Sequence, residues 1–203
     1  MYSLSTTSLR IRAGVEEGSE YITFSDYIFL RLSFLGLSHV FGVSGGGIMH
    51  LLDSIYRNSS IIFTPFHHEA HSGYAGDGYV KASRRLACVL ATTGPGSANV
   101  IPRIVSAWQD SVPLLFITGQ CKTTESTEFN GISDLRTLGP AEFNLVKPAA
   151  YFTKYAALVP GAIRGTYILE EALQAIYSDR CGPALLDIPC LLYTSDAADD
   201  TPC

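Results

Sequence analysis

The chain has 203 residues, 47% of them hydrophobic and 16% charged, and carries a formal net charge of −5. That is enough apolar material for one large or two small cores, and it excludes a disordered chain. The acidic balance, without any block of Lys or Arg, argues against nucleic acid and anionic membrane as partners and leaves a small molecule or another protein chain.

Residues 1–23 are polar and rich in Ser and Glu, and they read as a leader with a short ordered piece near Tyr21-Ile22. The leader lacks the apolar centre of a signal peptide and no run is long enough to span a bilayer, so a cytoplasmic protein is expected. Ser25 or Asp26 is the expected cap of a first helix, with Ile28, Phe29, Leu32 and Leu35 at helical spacing and Gly36 ending it. The strand HVFGV (39–43) follows, then the loop Ser44-Gly45-Gly46-Gly47 and a second helix on the stripe Ile48, Leu51, Leu52, Ile55 and Tyr56. The strand SIIFTPF (60–66) leads through His67-His68-Glu69 into a third helix running from His68 or Glu69 to about Arg84. Its small residues, Ala70, Gly73, Ala75 and Gly76, suit a tight interface.

A third strand, LACVLATT (86–93), precedes the turn Thr93-Gly94-Pro95-Gly96-Ser97. The next helix is expected over 97–109, where Pro102 conflicts with a helix interior. PLLFITG (113–119) is nearly all apolar, as in a strand covered on both faces, which predicts a parallel sheet. The polar stretch 121–148 receives no regular structure; loops of that length are usually functional or await a partner. An amphipathic helix is expected over 161–179, and ALLDIP (184–189) is the last strand. Strands alternating with helices predict an α/β fold over 24–189: a doubly wound, mostly parallel sheet with helices on both faces. Cys88, Cys121, Cys181, Cys190 and Cys203 lack C-x-x-C spacing, and their odd number fits reduced thiols better than a disulfide framework.

Three of the strands end in loops that converge on one crevice, and the C-terminal edge of an open parallel sheet is where ligands bind. At that edge Glu69 stands between two glycine-rich turns. For a solitary helix-start acid, the plain reading is a solvated charge steadied by the helix dipole. An acid deep in an apolar crevice with no competing cation is instead placed to share a proton with a ligand nitrogen. The dinucleotide fingerprint G-x-G-x-x-G fails at both turns, where His50 and Asn99 hold the last position, and no P-loop is present. His67 and His68 precede Glu69 and His71 follows it, but His68-Glu69-Ala70-His71 falls one residue short of the H-E-x-x-H pattern of a helical metal site, so no metal ligands are assigned.

The blocks HVFGVSGGGIMHLLDSI, FTPFHHEAHSGYAGDGYVKAS, LACVLATTGPGSANVI and SAWQDSVPLLFITGQ closely resemble the N-terminal, pyrimidine-binding (PYR) domain of thiamin-diphosphate enzymes of the acetolactate synthase type. The resemblance covers about residues 24–189. It implies that Glu69 hydrogen-bonds the N1′ nitrogen of the cofactor's aminopyrimidine ring, favouring the tautomer that deprotonates the thiazolium carbon. It implies further that Ser44, Gly45 and Gly46 lie beside the reacting centre and that Thr93, Gly94, Pro95 and Asn99 lie against the pyrimidine. Gln120 matches a substrate-side glutamine, and the implied substrate is a 2-keto acid, decarboxylated and, in a synthase, joined to a second keto acid. The chain departs from the family pattern at Ala70, Arg103 and Ala141, which leaves room for a related decarboxylase or carboligase. Gly76-Asp77-Gly78 is similar to the family's metal-diphosphate motif but lacks the later Asn pair.

The resemblance also implies a homodimer or homotetramer, and Mg²⁺ and diphosphate held by a C-terminal domain that this chain lacks. FAD stays open, with no residue calling for it. The alternative is a stand-alone, non-catalytic interaction or regulatory module. After Pro189 the chain reads CLLYTSDAADDTPC, and Cys190 to Asp200 reads as the translation of a transposase adapter used in sequencing libraries. The expectation is that 190–203 is an artefact tail with no evolved contacts.

Overall fold

The computed structural model describes residues 10–11 and 21–192. Of the leader and the tail, residues 1–9, 12–20 and 193–203 lie outside the described residues. Two short strands, β1 (Arg10–Ile11) and β2 (Tyr21–Ile22), pair in parallel as a small separate sheet. Helix α1 (Phe24–Phe34) is capped by Thr23, not by Ser25 or Asp26 as expected: Thr23 Oγ1 accepts from Asp26 N at 3.2 Å. The extended backbone of Thr23 turns its hydroxyl toward the free first-turn amides, the role for which Ser, Thr, Asp and Asn are favoured. Gly36, at φ 87°, lets the chain leave the helix.

Six strands then form one all-parallel sheet in the order β4-β3-β5-β6-β8-β7. They are β3 (His39–Gly42), β4 (Ile62–Pro65), β5 (Ala87–Ala91), β6 (Leu114–Gln120), β7 (Tyr155–Leu158) and β8 (Ala184–Pro189). Helices α2 (Met49–Arg57) and α7 (Ala162–Tyr177) join α1 on one face; α3 (Glu69–Ser83), α4 (Pro95–Ala98), α5 (Ile101–Gln109) and α6 (Val146–Ala149) complete the set. The central strands alternate between two cores. Cys88, Leu90, Leu115 and Ile117 pack with α1, α2 and α7, while Val89, Ala91, Leu114 and Phe116 pack with α3 and α5. Burial on both faces explains why these strands read as unbroken apolar runs. Arg31 Nε on α1 donates to Glu170 Oε1 on α7 at 2.6 Å, tying two helices of one layer.

The conflict at Pro102 disappears because the expected single helix is two. α4 ends at Ala98 and α5 restarts at Ile101, placing Pro102 in a first turn, where its missing N–H costs nothing. The small residues of α3 serve a tight interface, and it lies within the chain. A Cβ on Gly76 would lie 2.9 Å from Val89 Cγ2, and one on Gly73 2.5 Å from Arg103 Cγ. Strand β7 was not anticipated, since all four of its residues are half-buried at a sheet edge and pair only with β8. The stretch 121–148 is ordered chiefly by side chains: Glu142 Oε1 accepts from Thr127 N and Oγ1, both at 2.6 Å, and its Oε2 from Leu138 N at 2.7 Å. Beyond Pro189, Cys190 is buried and Leu192 packs against the core, so contacts continue past the end of the resemblance. A small apolar side chain directly after a central strand is carried inward by that strand. Among the described residues no helix is long and apolar enough to cross a membrane.

Candidate functional site

The chain reverses its winding direction at β3, which has β4 on one side and β5 on the other. The loops after β3 and β5 therefore meet at the C-terminal edge of the sheet, the position where such folds bind ligands. Glycine makes the meeting close. A Cβ on Gly45 would stand 2.5 Å from Thr92 Cβ, and Gly47 N donates to Thr92 Oγ1 at 3.2 Å. Gly94 holds φ 62° and ψ −122°, a conformation that side chains avoid, and a Cβ there would lie 2.6 Å from Ala141 O.

Glu69 is the first residue of α3. His68 caps that helix, its Nδ1 accepting from Ala70 N at 3.1 Å. This turns the Glu69 side chain, half-buried, toward the turn after β5. Asn99 Nδ2 donates to Glu69 Oε2 at 2.9 Å. Gly96 presses bare backbone against the carboxyl, since a Cβ there would lie 3.1 Å from Glu69 Oε1. Oε1 has no hydrogen-bond partner among the described residues. One oxygen is thus fixed by a neutral donor and the other lies beside the Gly96 backbone.

An open cavity of about 320 Å³ lies beside these loops, walled by Gly46, Gly47, Thr92, Thr93, Gln120 and Lys122 among others. Ser44, Glu69, Gly94, Pro95 and Asn99 do not line it. Thr92 separates the two halves of the site, touching the cavity on one side and, through Gly96, the Glu69 carboxyl on the other. Ser44 and Pro95 are exposed.

Gln120 is 4% exposed and its amide is largely committed. Nε2 donates to Asp187 Oδ2 at 2.9 Å and to Phe143 O at 2.7 Å, and Oε1 accepts from Cys121 N at 2.9 Å. Asp187, 1% exposed, also accepts from Thr118 Oγ1 at 2.7 Å. Burial pushes its carboxyl up to about 7 against the lowering effect of those two donors. Burial, with Glu142 nearby, likewise pushes the Cys121 thiol up to about 11. Sequence reading missed Asp187; the available signal was a charge inside the otherwise apolar ALLDIP.

Among the described residues, no three His, Cys, Asp or Glu side chains converge as metal ligands. Asp77, of the Gly-Asp-Gly run, lies within α3 and pairs with Lys81 at 2.9 Å. Two of the departures from the family pattern have visible roles. Arg103 fills the notch at Gly73 and stacks its guanidinium 3.5 Å over the Tyr74 ring, and Ala141, at φ 58°, lies against Gly94.

Residues 22–140 match a family model described as thiamine pyrophosphate enzyme, N-terminal TPP binding domain. The acetolactate synthase of Arthrospira platensis is 33% identical over 157 residues, 76% of this chain and 26% of that protein. The mitochondrial acetolactate synthase of Schizosaccharomyces pombe is 32% identical over 153 residues, 75% of this chain and 22% of that protein. The mitochondrial acetolactate synthase catalytic subunit of Aspergillus candidus is 31% identical over 156 residues, 76% of this chain and 21% of that protein. The chain thus spans about a quarter of the length of these relatives or less.

Proposed function

The chain belongs to the thiamine pyrophosphate enzymes, as their N-terminal TPP binding domain, and from that premise we propose that it is the cofactor-activating part of an acetolactate synthase-like 2-keto acid carboligase or decarboxylase. The observation that carries the reading is the Glu69 carboxyl, whose Oε2 is held by Asn99 while Oε1 is uncommitted. Such an acid suits an aminopyrimidine nitrogen, which it can hold in protonated form. Gly94 and Gly96 pack the turn onto Ala141 and the Glu69 carboxyl, and its more open residues Thr93, Pro95 and Asn99 are the surface against which a flat ring would lie. When bound, thiamin diphosphate supplies a nucleophilic carbon and an electron sink for the carbon freed by decarboxylation.

The chain's own part is to bind, orient and move a proton. Glu69 shares a proton with the ring nitrogen, and Asn99 keeps the carboxyl from turning away. Ser44, Gly45 and Gly46 border the reacting centre, and Gln120 stands on the keto-acid side, on the cavity wall. Mg²⁺ and the diphosphate are held by residues other than those described, in a homo-oligomeric, cytoplasmic enzyme. The test is to complete the reading frame from its locus, express that enzyme with thiamin diphosphate and Mg²⁺, and supply pyruvate. Consumption of pyruvate with acetolactate or an aldehyde as product is expected. An enzyme that binds the cofactor yet leaves every short 2-keto acid unchanged contradicts the reading.

A further inference from the structure

Asp187 is a carboxyl sealed beneath the cavity, with one donor on each oxygen: Thr118 Oγ1 on Oδ1 and Gln120 Nε2 on Oδ2. Thr118 is its register partner across β6 and β8, and Gln120 is two residues further along the same strand. Gln120 Nε2 spends its second hydrogen on Phe143 O, 23 residues away in the segment that carries Pro140 and Ala141 to the cavity wall. Burying a carboxyl is costly, and a valine or leucine at 187 would close the sheet more cheaply, so orientation is the better account of the group. A Gln120 amide turned end for end would set Oε1 against the carboxyl and lose the Phe143 and Cys121 bonds together.

We propose that Asp187 is a positioning residue: it fixes which end of the Gln120 amide faces where and, through Gln120, holds the segment around Phe143 against the cavity. The consequence is chemical. Both Nε2 hydrogens are used, so the only capacity Gln120 keeps for a ligand is the second lone pair of Oε1. Gln120 therefore offers a ligand an acceptor only, so it borders a keto acid without donating to its carboxylate or carbonyl oxygen, which other groups of the wall must hold. This use of Gln120 rests on the reading of the cavity as the keto-acid side of the site.

The network tolerates either charge state of Asp187. A proton on Oδ1 leaves Oδ2 accepting from Gln120, with the Thr118 hydroxyl reversed. The ionisable groups on the elements around it are engaged elsewhere or line the cavity. On the segment after β6 these are Cys121, Lys122, Glu125 and Glu142, the last bonded to Thr127 and Leu138. Lys147 of α6 pairs with Glu128, Tyr155 of β7 and Arg164 of α7 with Glu171, and Glu170 with Arg31.

The experiment is a pH titration of the 203-residue chain by ¹H–¹⁵N spectroscopy, with no ligand added. The Gln120 side-chain amide pair and the Cys121 backbone amide should shift together with one midpoint near neutral pH. In Asp187→Asn, which can satisfy both partners, the Gln120 pair should stay dispersed and cease to titrate. In Thr118→Val the midpoint should move up, because a donor to the carboxylate is lost. A Gln120 pair that is invariant in the wild type, or that titrates alike in Asp187→Asn, overturns the proposal. Because no cofactor or substrate is present, that failure would leave the role of Glu69 standing, and an enzyme inert toward keto acids would leave the titration standing.

Discussion

Asn99 is the residue that gives the Glu69 carboxyl its direction, and the pair is the smallest unit on which the account can be tested. Asn99→Ala removes the donor to Oε2. A hydrogen bond to a charged group contributes about 1.5–3 kcal/mol when well buried, and Glu69 is only half-buried, so a loss of about 1 kcal/mol is expected in urea unfolding. A change indistinguishable from zero would mean that solvent already replaces the bond. The place of Glu69 at the C-terminal edge of the sheet was legible in the sequence because it follows a strand and begins a helix. Asp187 was not. Its partners Thr118 and Gln120 are 69 and 67 residues away, and nothing local marks a strand aspartate as buried.

At the scale of elements, the contact of α3 with α5 depends on one missing side chain. Gly73→Ala forces a Cβ into Arg103 Cβ and Cγ, atoms near the backbone that cannot swing aside, and overpacking of this kind costs about 1–3 kcal/mol. Arg103→Ala should relieve it, so a double-mutant cycle in thermal or urea unfolding should give a coupling of at least about 0.5 kcal/mol. Additive effects would show that the helices separate freely. The alternation of strands and helices was readable because central strands are apolar on both faces and helices carry one stripe. The break between α4 and α5 was signalled by Pro102 but hidden by the continuous apolar pattern around it. β7 escaped because a half-buried edge strand has neither pattern.

For the whole molecule, the winding reversal at β3 brings the two glycine turns and the head of α3 to one edge, and a buried carboxyl beneath that edge makes stability depend on pH. Asp187 keeps its proton in the folded chain up to about pH 7, whereas the unfolded chain releases it near the usual 3.8. The folded state therefore binds more protons between those values, and its stability declines as pH rises through that window and levels off above it. Asp187→Asn lacks this loss, so its stability relative to wild type should rise from acid to slightly alkaline pH in urea unfolding; a difference constant with pH would place the titration elsewhere. The central claim, that the fold exists here to set Glu69 against the cofactor ring, is tested most directly by hydrogen–deuterium exchange at the thiazolium carbon in the completed enzyme. Glu69→Gln should bind the cofactor and keep the fold but exchange about 10²–10⁴-fold more slowly, because an amide cannot share the proton. Exchange at the wild-type rate in that variant would contradict the account.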